Sequence, residues 1–484
     1  MPVEWAGSGP GLLVTIDRGG GAGLRTQLEE QLRAAIRGGR LAGNEPLPSS
    51  RELARALGLS RGLVQDCYAQ LQAEGYLTSR PGSATRVAPG VVVRPDAQAP
   101  STIAEQRPRY PVADFRHGVP DLGLAPRAEW AWAVQQTLRA APNAAFDYGE
   151  PVGARALREV LASYLGRVRA VAATAEDLIV CAGMQQALGL VVGALAAAGF
   201  TRIGFEDPGS GANVADLTAA AGIGAVPVAV DEGGLDVGAL ARSGADAVFV
   251  TPAHQWPTGV VLTGPRRLEL IAWARATGAI IVEDDYDAEF RYDRDPVGSL
   301  QGLAPDCVVS LGTVSKSLAP ALRLGWIVTP PRLHAALARG KWRADRGSPG
   351  LDQLALAALL ESGRYDRHLR RVRAEYAARR ETLLAALERH APHLPVTGLA
   401  AGFHAVLHLP PGTGEAAFIA AAASRGVGLY GMASLYVGEV HPQPRLILGF
   451  GNTSRAAIES GIAAIADIRG SSGPRRSRCT DGRR

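Results

Sequence analysis

Short apolar runs alternate with helix-like stretches from about residue 113 onward in this chain of 484 residues. The runs are DLIVCAG, TRIGFED, ADAVFVTPA, GAIIVEDDY and DCVVSLG. Strands that alternate with helices predict an α/β domain, in which crossover helices join the strands of one sheet. Polar residues cluster where each run ends, and ligands of doubly wound sheets bind at the carboxyl ends of the strands. We therefore expect these polar residues to converge on one cleft.

The N-terminal region has a different pattern. Residues 24 to 39 carry apolar side chains at every fourth position, which predicts an amphipathic helix that ends at the glycine pair of AAIRGGR. Ser49 or Ser50 can cap a second helix, SRELARALG, and Ser60 can cap a third, RGLVQDCYAQLQAEG. A glycine ends each of these two helices. Two short helices joined by a tight turn predict a helix-turn-helix, whose second helix enters the major groove of DNA.

Several residues of this region are candidates for DNA contact. The segment YLTSRPGSATRVA alternates like two short strands around residues 80–83, which predicts a wing. Ser60, Arg61 and Gln65 lie at or near the start of the third helix, where side chains reach base edges. Arg51 opens the second helix, where it can contact phosphate. The alternative is a helical bundle that packs against the main domain.

Length and composition set the domain organisation. A chain of 484 residues is too long for one ordinary core. We predict a winged-helix domain at residues 12–88, a linker rich in Pro, Gln, Ser and Ala at 89–112, an α/β domain at 113–467 and a basic disordered tail at 468–484.

The overall composition, with 47% hydrophobic and 20% charged residues, is that of a soluble globular protein. No basic segment precedes an apolar one at the N-terminus, and later apolar stretches are too short to span a membrane, so a cytoplasmic protein is expected. The net charge of +5 is compatible with nucleic-acid binding and does not establish it. The four cysteines show no zinc-site spacing and are interpreted as reduced thiols, mostly buried; they are Cys67, Cys181, Cys307 and Cys479.

Lysine is nearly absent from this chain. Lys316 and Lys341 are its only lysines, against 51 basic residues in all. Arginine can replace lysine as a surface cation but cannot act as an amine nucleophile, so a surviving lysine is a candidate for amine chemistry. Lys316 follows the apolar run CVVS at the end of a predicted strand, and Thr313, Ser315 and Arg323 nearby can bind the phosphate of the same ligand. An ordinary surface lysine is the alternative, and Lys341 is interpreted as a chance survivor.

An acidic run and a glycine turn complete the candidate site. Asp284, Asp285 and Tyr286 follow a predicted buried strand, where consecutive acids are costly without a partner. An aspartate beneath a pyridine ring keeps the ring nitrogen protonated, and a phenol can contact the ring hydroxyl. A metal site is not expected, because no histidine or cysteine is spaced to complete it. The turn in CAGMQQAL aims backbone amides at a phosphate; they belong to Gly183, Met184 and Gln185.

The N-terminal string from QLRAAIRGGRLAGNEPLPSS to GYLTSRPGSATRVA resembles the GntR-type winged-helix domain over nearly all of its length. This resemblance implies operator contacts from five residues, which are Arg51, Ser60, Arg61 and the wing residues Arg80 and Gly82. Gly62 departs from the hydroxyl residue that is usual after Ser-Arg.

Five later segments, CAGMQQAL, EDPG, TPAHQWPTG, EDDYDAEF and GTVSKSLAPALRLGW, resemble the fold-type-I aminotransferases in order and spacing. Placed after a GntR-type domain, they are similar to the MocR/GabR family of regulators. The resemblance implies the cofactor pyridoxal 5'-phosphate as a Schiff base on Lys316, a contact of Asp284 with the ring nitrogen and one of Tyr286 with the ring hydroxyl. Asp285 is the alternative to Asp284. The implied phosphate contacts are Gly183, Met184, Gln185, Thr313, Ser315 and Arg323.

This sequence departs from the family at two of these segments. Ser210 follows EDPG, where an aromatic residue usually stacks on the cofactor ring. Loss of this stack is expected to weaken cofactor affinity by ~1 kcal/mol. Met184 replaces a small hydroxyl residue. Arg445, in PRLILGF, is a candidate anchor for the carboxylate of an effector, with a salt-bridged surface arginine as the alternative. Tyr148, in FDYGEPVG, resembles a segment that reaches the cofactor phosphate of the neighbouring subunit, with a core tyrosine as the alternative.

Together, these observations predict a winged helix-turn-helix (α+β) domain followed by an α/β fold-type-I aminotransferase-like domain. The predicted function is a pyridoxal-phosphate-dependent transcription regulator that binds operator DNA as a homodimer, senses an amino-group effector and has no net enzymatic turnover. A working aminotransferase with an attached DNA-binding domain is the alternative. A third hypothesis is a dimer that binds DNA without a cofactor.

Overall fold

The computed structural model describes residues 14–19, 21–79, 84–89, 109–287, 289–292, 297–438 and 443–468. The chain divides into two compact units, Met1–Pro108 and Arg109–Arg484. The wing residues Arg80 and Gly82, residues 90–108 of the predicted linker and the predicted tail beyond Ile468 lie outside the described residues. The predicted domain limits therefore stay predictions.

The N-terminal unit has the predicted three helices followed by a strand pair. These elements are α1 (Leu24–Arg37), α2 (Ser50–Leu57), α3 (Arg61–Ala73), β1 (Leu77–Thr78) and β2 (Arg86–Val87). The two strands pair antiparallel, with Leu77 opposite Val87. The apolar faces of the three helices and the strand pair share one core, in which Leu28, Leu32 and Val64 are fully buried.

Local capping explains where α2 and α3 begin. The Ser49 hydroxyl accepts from the Glu52 amide, and the Glu52 carboxylate accepts from the Ser49 amide, so of the two candidates Ser49 is the cap. The Ser60 hydroxyl accepts from the Leu63 amide and caps α3, as predicted. Gly58 ends α2 in the left-handed conformation, with φ of 62°.

The C-terminal unit alternates strands and helices, as predicted. In chain order its elements are β3 (Ala113–Asp114), α4 (Arg127–Ala140), α5 (Arg155–Arg169), β4 (Leu178–Cys181), α6 (Met184–Ala197), β5 (Arg202–Asp207), α7 (Gly211–Ala220), β6 (Gly224–Asp231), β7 (Gly234–Leu235), α8 (Val237–Arg242), β8 (Ala247–Val250), α9 (Gly264–Thr277), β9 (Ile280–Asp285), β10 (Val308–Thr313), β11 (Gly325–Val328), α10 (Pro331–Asp345), α11 (Gly350–Glu361), α12 (Arg364–His390), β12 (Val396–Thr397), β13 (His404–His408), α13 (Glu415–Ser424), β14 (Val427–Gly428), β15 (Tyr430–Gly431), β16 (Arg445–Gly449) and α14 (Arg455–Ile465).

The main sheet has eight strands in the order β4-β11-β10-β9-β8-β5-β6-β7. Strands β10, β9, β8, β5 and β6 pair in parallel, and β11 runs antiparallel to both of its neighbours. Every residue of β4, β8, β10 and β11 is buried, as expected for a sheet covered on both faces. The five apolar runs all form strands, which confirms the α/β prediction and brings the carboxyl ends of β4, β9 and β10 to the same edge of the sheet.

A smaller antiparallel sheet, β12-β13-β16-β15, and a separate pair, β14-β3, make up the remaining strands. Helices α12 and α14 pack against each other beside them. Cys67, Cys181 and Cys307 are buried and form no disulfide, as predicted, while Cys479 lies outside the described residues. In the described part of the chain, no helix is long and apolar enough to cross a membrane.

Candidate functional site

A cavity of about 390 Å³ opens where the carboxyl ends of the strands meet. The predicted residues that line it are Met184, Gln185, Asp284, Tyr286, Thr313, Ser315, Lys316 and Arg323. Gly183 caps α6 directly before Met184. Tyr148 and Arg445 are not among the lining residues. The expectation that the polar strand ends converge on one cleft is thus confirmed.

Lys316 lies just beyond β10, half-buried, and its Nζ donates to the Gly118 carbonyl oxygen at 2.5 Å. Burial lowers the pKa of the Lys316 amine, and the carboxylates of Asp284 and Asp287 oppose this shift. A lowered pKa increases the fraction of neutral amine, which is the nucleophilic form. The surroundings of Lys316 therefore favour its reaction with a carbonyl group.

Asp284 is the penultimate residue of β9, and its carboxylate faces the cavity. Its Oδ1 is buried and has no hydrogen-bond partner among the described residues. Burial, and then repulsion from Asp285 and Asp287, raises the pKa of Asp284 well above its usual value. An unpaired buried acceptor is costly unless a donor reaches it, and a protonated ring nitrogen is such a donor.

Asp285 has a different partner, because its Oδ2 pairs with Arg169 Nε at 2.6 Å. The geometry thus favours Asp284 over Asp285 as the contact of a ligand ring.

Tyr286 follows Asp285 and presents its hydroxyl beside the cavity. The hydroxyl donates to the His254 carbonyl oxygen at 3.1 Å and lies 3.4 Å from His254 Nδ1. His254 Nδ1 also lies 2.8 Å from Asp287 Oδ2, and both groups are buried. Burial and the nearby Asp287 and Asp284 carboxylates raise the pKa of Tyr286, so the phenol stays protonated and able to donate.

The turn before α6 lies at one end of the cavity. Gly183 has φ of 84°, and a Cβ atom there would lie 3.1 Å from Arg323 Nη2. Arg323 Nη2 donates to the Ala182 carbonyl oxygen at 2.6 Å, which fixes the guanidinium beside the turn. The Met184 and Gln185 amides belong to the first turn of α6, where backbone N–H groups lack partners within the helix.

Two buried hydroxyl groups add to this end. Thr313 Oγ1 and Ser315 Oγ lie 2.8 Å apart, and the Ser315 amide donates to Thr313 Oγ1 at 3.1 Å. Thr313 Oγ1 is also 3.0 Å from the Leu324 carbonyl oxygen. Amides, hydroxyls and a guanidinium together form a donor set suited to a phosphate group.

An aromatic wall that the sequence did not indicate completes the cavity. His117, Trp256, Phe403 and His404 line it. The ring centroids of His117 and Trp256 lie 4.7 Å apart, and those of Trp256 and His404 lie 5.0 Å apart. Burial lowers the pKa of His117 to about 4 and the pKa of His404 well below its usual value, so both rings are neutral. Trp256 belongs to TPAHQWPTG, whereas the other three residues carry no local motif.

These rings supply aromatic surface to the cavity, although Ser210 stands where the family usually has an aromatic residue. Ser210 lines the cavity. The aromatic surface here comes from His117 and Trp256 instead.

Tyr148 and Arg445 have other surroundings. Tyr148 is 85% exposed, which excludes a core tyrosine within one chain. Arg445 Nη2 donates to the Tyr436 hydroxyl, and Arg445 Nε is buried without a partner among the described residues. The role of Arg445 as an effector anchor stays a prediction.

The fold also brings two histidines to an acid of the DDYD run. The three residues are His254, Asp287 and His404, and all three are buried. Their nitrogen and oxygen atoms that could bind a metal ion lie within 4.8 Å of one another. Sequence spacing indicated no such histidine, because the three residues come from separate loops and strands. The group is explained by the hydrogen bond between His254 and Asp287, with the His404 ring tilted by 39° against the His254 ring at 4.5 Å between centroids.

The candidate DNA-binding residues lie at the N-termini of α2 and α3. Arg51, Ser60, Arg61 and Gln65 are all exposed there. Gly62 is exposed as well, and a Cβ atom at this position would meet no atom within 4 Å. The two helix N-termini and the arginines thus present donors that can contact a phosphate backbone and base edges.

Family models match both units of the chain. Residues 24–87 match the model described as bacterial regulatory proteins, gntR family. Residues 113–465 match aminotransferase class I and II.

Several bacterial regulators match nearly the whole chain. It is 33% identical over 91% of its length to the uncharacterized HTH-type transcriptional regulator YhdI of Bacillus subtilis, covering 95% of that protein. It is 32% identical over 92% of its length to the HTH-type pyridoxine biosynthesis transcriptional regulator PdxR of Corynebacterium glutamicum, again covering 95%. It is 33% identical over 94% of its length to the probable rhizopine catabolism regulatory protein MocR of Rhizobium meliloti, also covering 95%.

Solved aminotransferases share the fold of the C-terminal unit. The alpha-aminoadipate aminotransferase LysN of Thermus thermophilus, complexed with N-(5'-phosphopyridoxyl)-L-leucine, superposes with a TM-score of 0.65 and 26% identity, over 73% of this chain and 91% of LysN. An archaeal alanine:glyoxylate aminotransferase matches with a TM-score of 0.67 and 22% identity, over 89% of this chain and 96% of the enzyme.

Proposed function

Because this chain belongs to the HTH-type transcriptional regulators that join a GntR domain to an aminotransferase class I and II domain, we propose that it switches transcription when an amino compound reacts at Lys316. One observation carries this proposal. A half-buried lysine, an unpaired buried aspartate oxygen and a phosphate-type donor set line the same cavity. Those three features match the amine-reactive, ring-nitrogen and phosphate ends of pyridoxal phosphate.

Pyridoxal phosphate, when bound, supplies an aldehyde that condenses with amines and a ring that withdraws electrons. Lys316 would hold it covalently, Asp284 would accept from the ring nitrogen, and the Tyr286 hydroxyl would contact the ring hydroxyl. The phosphate would be held by Arg323, Thr313, Ser315 and the Gly183, Met184 and Gln185 turn. The similar aminotransferase LysN, which is complexed with a phosphopyridoxyl compound, supports this assignment.

Each of these residues contributes to an amine-responsive site. Burial lowers the pKa of Lys316, which favours the neutral, nucleophilic form of its amine. An effector that competes with Lys316 for the aldehyde must bind one conformation of the protein better than another to act as a signal. Coupling of this kind is typically about 1–3 kcal/mol.

Two features of the chain support a homodimer. Phe146 and Tyr148 are 60% and 85% exposed on one segment, which leaves aromatic surface for a second copy. Tyr148 would then reach the cofactor phosphate of the partner subunit. Two winged helices are also needed to bind paired half-sites of an operator. Since the operator lies on the chromosome, we place this dimer in the cytoplasm.

A second candidate is a sensor of pyridoxal phosphate itself. Arg445 hydrogen-bonds to Tyr436 and is not among the described residues that line the cavity, so a signal that needs no effector carboxylate is also considered. The relative PdxR is named as a pyridoxine biosynthesis regulator. In this case occupancy of the cavity by the vitamer, without an amino compound, would be the signal.

Borohydride reduction tests the assignment of Lys316. After incubation with pyridoxal phosphate and reduction, peptide mass spectrometry should find the phosphopyridoxyl group on Lys316 and none on Lys341, the only other lysine. Lys316→Ala should abolish the label. A colourless wild-type protein without label would contradict the proposal.

A footprint on the promoter upstream of this gene, with the vitamer alone and with candidate amines added, separates the two signals. A shift that needs the amine supports the first candidate, and one that needs only the vitamer supports the second. Steady turnover of an amino donor with a keto acid would instead indicate a working aminotransferase.

A further inference from the structure

Lys341, the second lysine of the chain, lies on α10 with 0% of its surface exposed. Its Nζ lies 2.6 Å from both carboxylate oxygens of Asp345 and 2.9 Å from Ser348 Oγ. Burying an ammonium is costly unless its N–H groups find acceptors, and here three acceptors match its three donors. A planar guanidinium with five donors does not fit this set, so chance survival of a lysine does not account for Lys341.

Asp345 is connected to the turn before α6 by hydrogen bonds through Gln186. Its Oδ2 accepts from Gln186 Nε2 at 2.9 Å, and Gln186 Oε1 accepts from the Ala182 amide at 2.7 Å. A carboxylate can only accept, so it takes the amino end of the Gln186 amide and leaves the oxygen end facing Ala182. The Ala182 carbonyl oxygen is bound by Arg323. Both polar groups of the Ala182 backbone are therefore fixed by side chains.

Gly347, two residues after Asp345, lies close to the segment that carries Tyr148. The Gly347 amide donates to Asp345 Oδ1 at 2.9 Å. A Cβ atom on Gly347 would lie 3.5 Å from the carbonyl oxygens of Tyr148 and Glu150. The anchor at Asp345 thus lies between the turn before α6 and the segment that carries the exposed Tyr148.

We propose that Lys341 is a positioning residue for the phosphate-binding turn. Its ammonium holds Asp345 in place, Asp345 orients Gln186, and Gln186 fixes Ala182 so that the Met184 and Gln185 amides face the phosphate. This inference rests on the proposed function, since it assumes a cofactor phosphate at that turn. It has a specific consequence, because Lys341 then acts on cofactor affinity only through the phosphate group.

Pyridoxal, which has the same aldehyde and ring as pyridoxal phosphate but no phosphate, separates this role from a general one. The affinities of the full-length protein for the two compounds are measured by absorbance titration, and their ratio is the phosphate preference. Lys341→Met and Gln186→Ala should each lower this preference by about 3- to 10-fold, the effect of one lost hydrogen bond. Gln186→Ala buries no unpaired charge, so it keeps the test valid if Lys341→Met does not fold.

Leu270→Ala is the matched control, because Leu270 is fully buried on α9 in a different core cluster. It should lower stability and leave the phosphate preference unchanged. If the wild type binds tightly and both Lys341→Met and Gln186→Ala keep its phosphate preference, the positioning role of Lys341 is overturned and the proposed function stands. Failure of the wild type to bind either compound would overturn the proposed function instead.

Discussion

At the scale of single residues, Asp284 carries the most information about the ligand. A buried carboxylate oxygen without a partner is rare in folded proteins, since nearly all buried polar atoms are hydrogen-bonded. Its raised pKa shows that the site disfavours an isolated charge until a cation or donor arrives. A protonated ring nitrogen would satisfy Asp284 and offset this cost.

Replacing Asp284 tests this assignment. Asp284→Asn keeps the size of the side chain and removes its charge, so we expect affinity for pyridoxal phosphate to fall about 10- to 100-fold, the effect of losing a charged hydrogen bond. Absorbance titration measures it. Asp306→Asn, which removes a surface carboxylate paired with Arg275, is the control and should bind normally. Equal affinities of Asp284→Asn and the wild type would rule out the ring contact.

Glu206 makes a prediction about pH. Its carboxylate is buried and accepts from the Thr251 amide at 3.0 Å, and burial raises its pKa to about 7 from an ordinary 4.5. The folded state therefore binds this proton more tightly than the unfolded state. The contribution of Glu206 to the free energy of unfolding should be greatest below pH 4.5. It should fall by up to ~3 kcal/mol as the pH rises through 7.

Glu206→Gln should remove this dependence, because a neutral amide has no proton to lose. Urea unfolding followed by tryptophan fluorescence reports on the C-terminal unit, which holds every tryptophan after Trp5. The stability of the wild type relative to Glu206→Gln should decline between pH 5 and 8. Parallel pH curves for the two proteins would show that Glu206 is already ionised at pH 5.

At the scale of elements, the register of neighbouring strands assembles the cavity. Asp284 of β9 lies opposite Leu311 of β10, and Lys316 follows a few residues beyond the end of β10. Parallel strands end at the same edge, so an acid on one and an amine after the next face the same space. In the other unit, two capped helix N-termini place Arg51 and Arg61 on the surface.

The N-terminus of α3 is tested by Arg61→Ala. If Arg61 contacts the operator, its loss should weaken binding by ~1–3 kcal/mol and lower the salt dependence of the affinity. Arg40→Ala removes the same charge from another exposed position of this unit and should have a smaller effect. Operator affinity measured at several salt concentrations compares the two. Equal effects would mean that Arg61 contributes only to the net charge.

At the scale of the whole molecule, two units with separate cores are joined by one chain. A ligand that binds only the folded C-terminal unit stabilises that unit by mass action, without a direct effect on the winged helix.

Calorimetry should detect the separate units. At a concentration 100 times its dissociation constant, pyridoxal phosphate should add about 2.7 kcal/mol to the C-terminal unit and raise its melting temperature by about 4 °C. The transition of the N-terminal unit should not move, and Lys316→Ala should lose most of the shift. A single transition that moves as a whole would show that the two units unfold together.

The pattern of residues along the chain determined the N-terminal helices, most of the main strands and the candidates for the chemistry. Alternating apolar runs predicted five of the eight strands of the main sheet, Ser60 predicted the start of α3, and the rarity of lysine singled out Lys316. These signals are local, because helix periodicity, caps and strand ends depend on residues close together in sequence.

Only the tertiary structure decided which side chains meet. It paired Asp285 with Arg169 and left Asp284 facing the cavity, it brought His117 and His404 to the same wall, and it buried Lys341 behind Asp345. Such contacts join residues far apart in sequence through the order of strands and the packing of helices. A single sequence carries no local pattern for them, because the distance between two side chains is set by the whole fold.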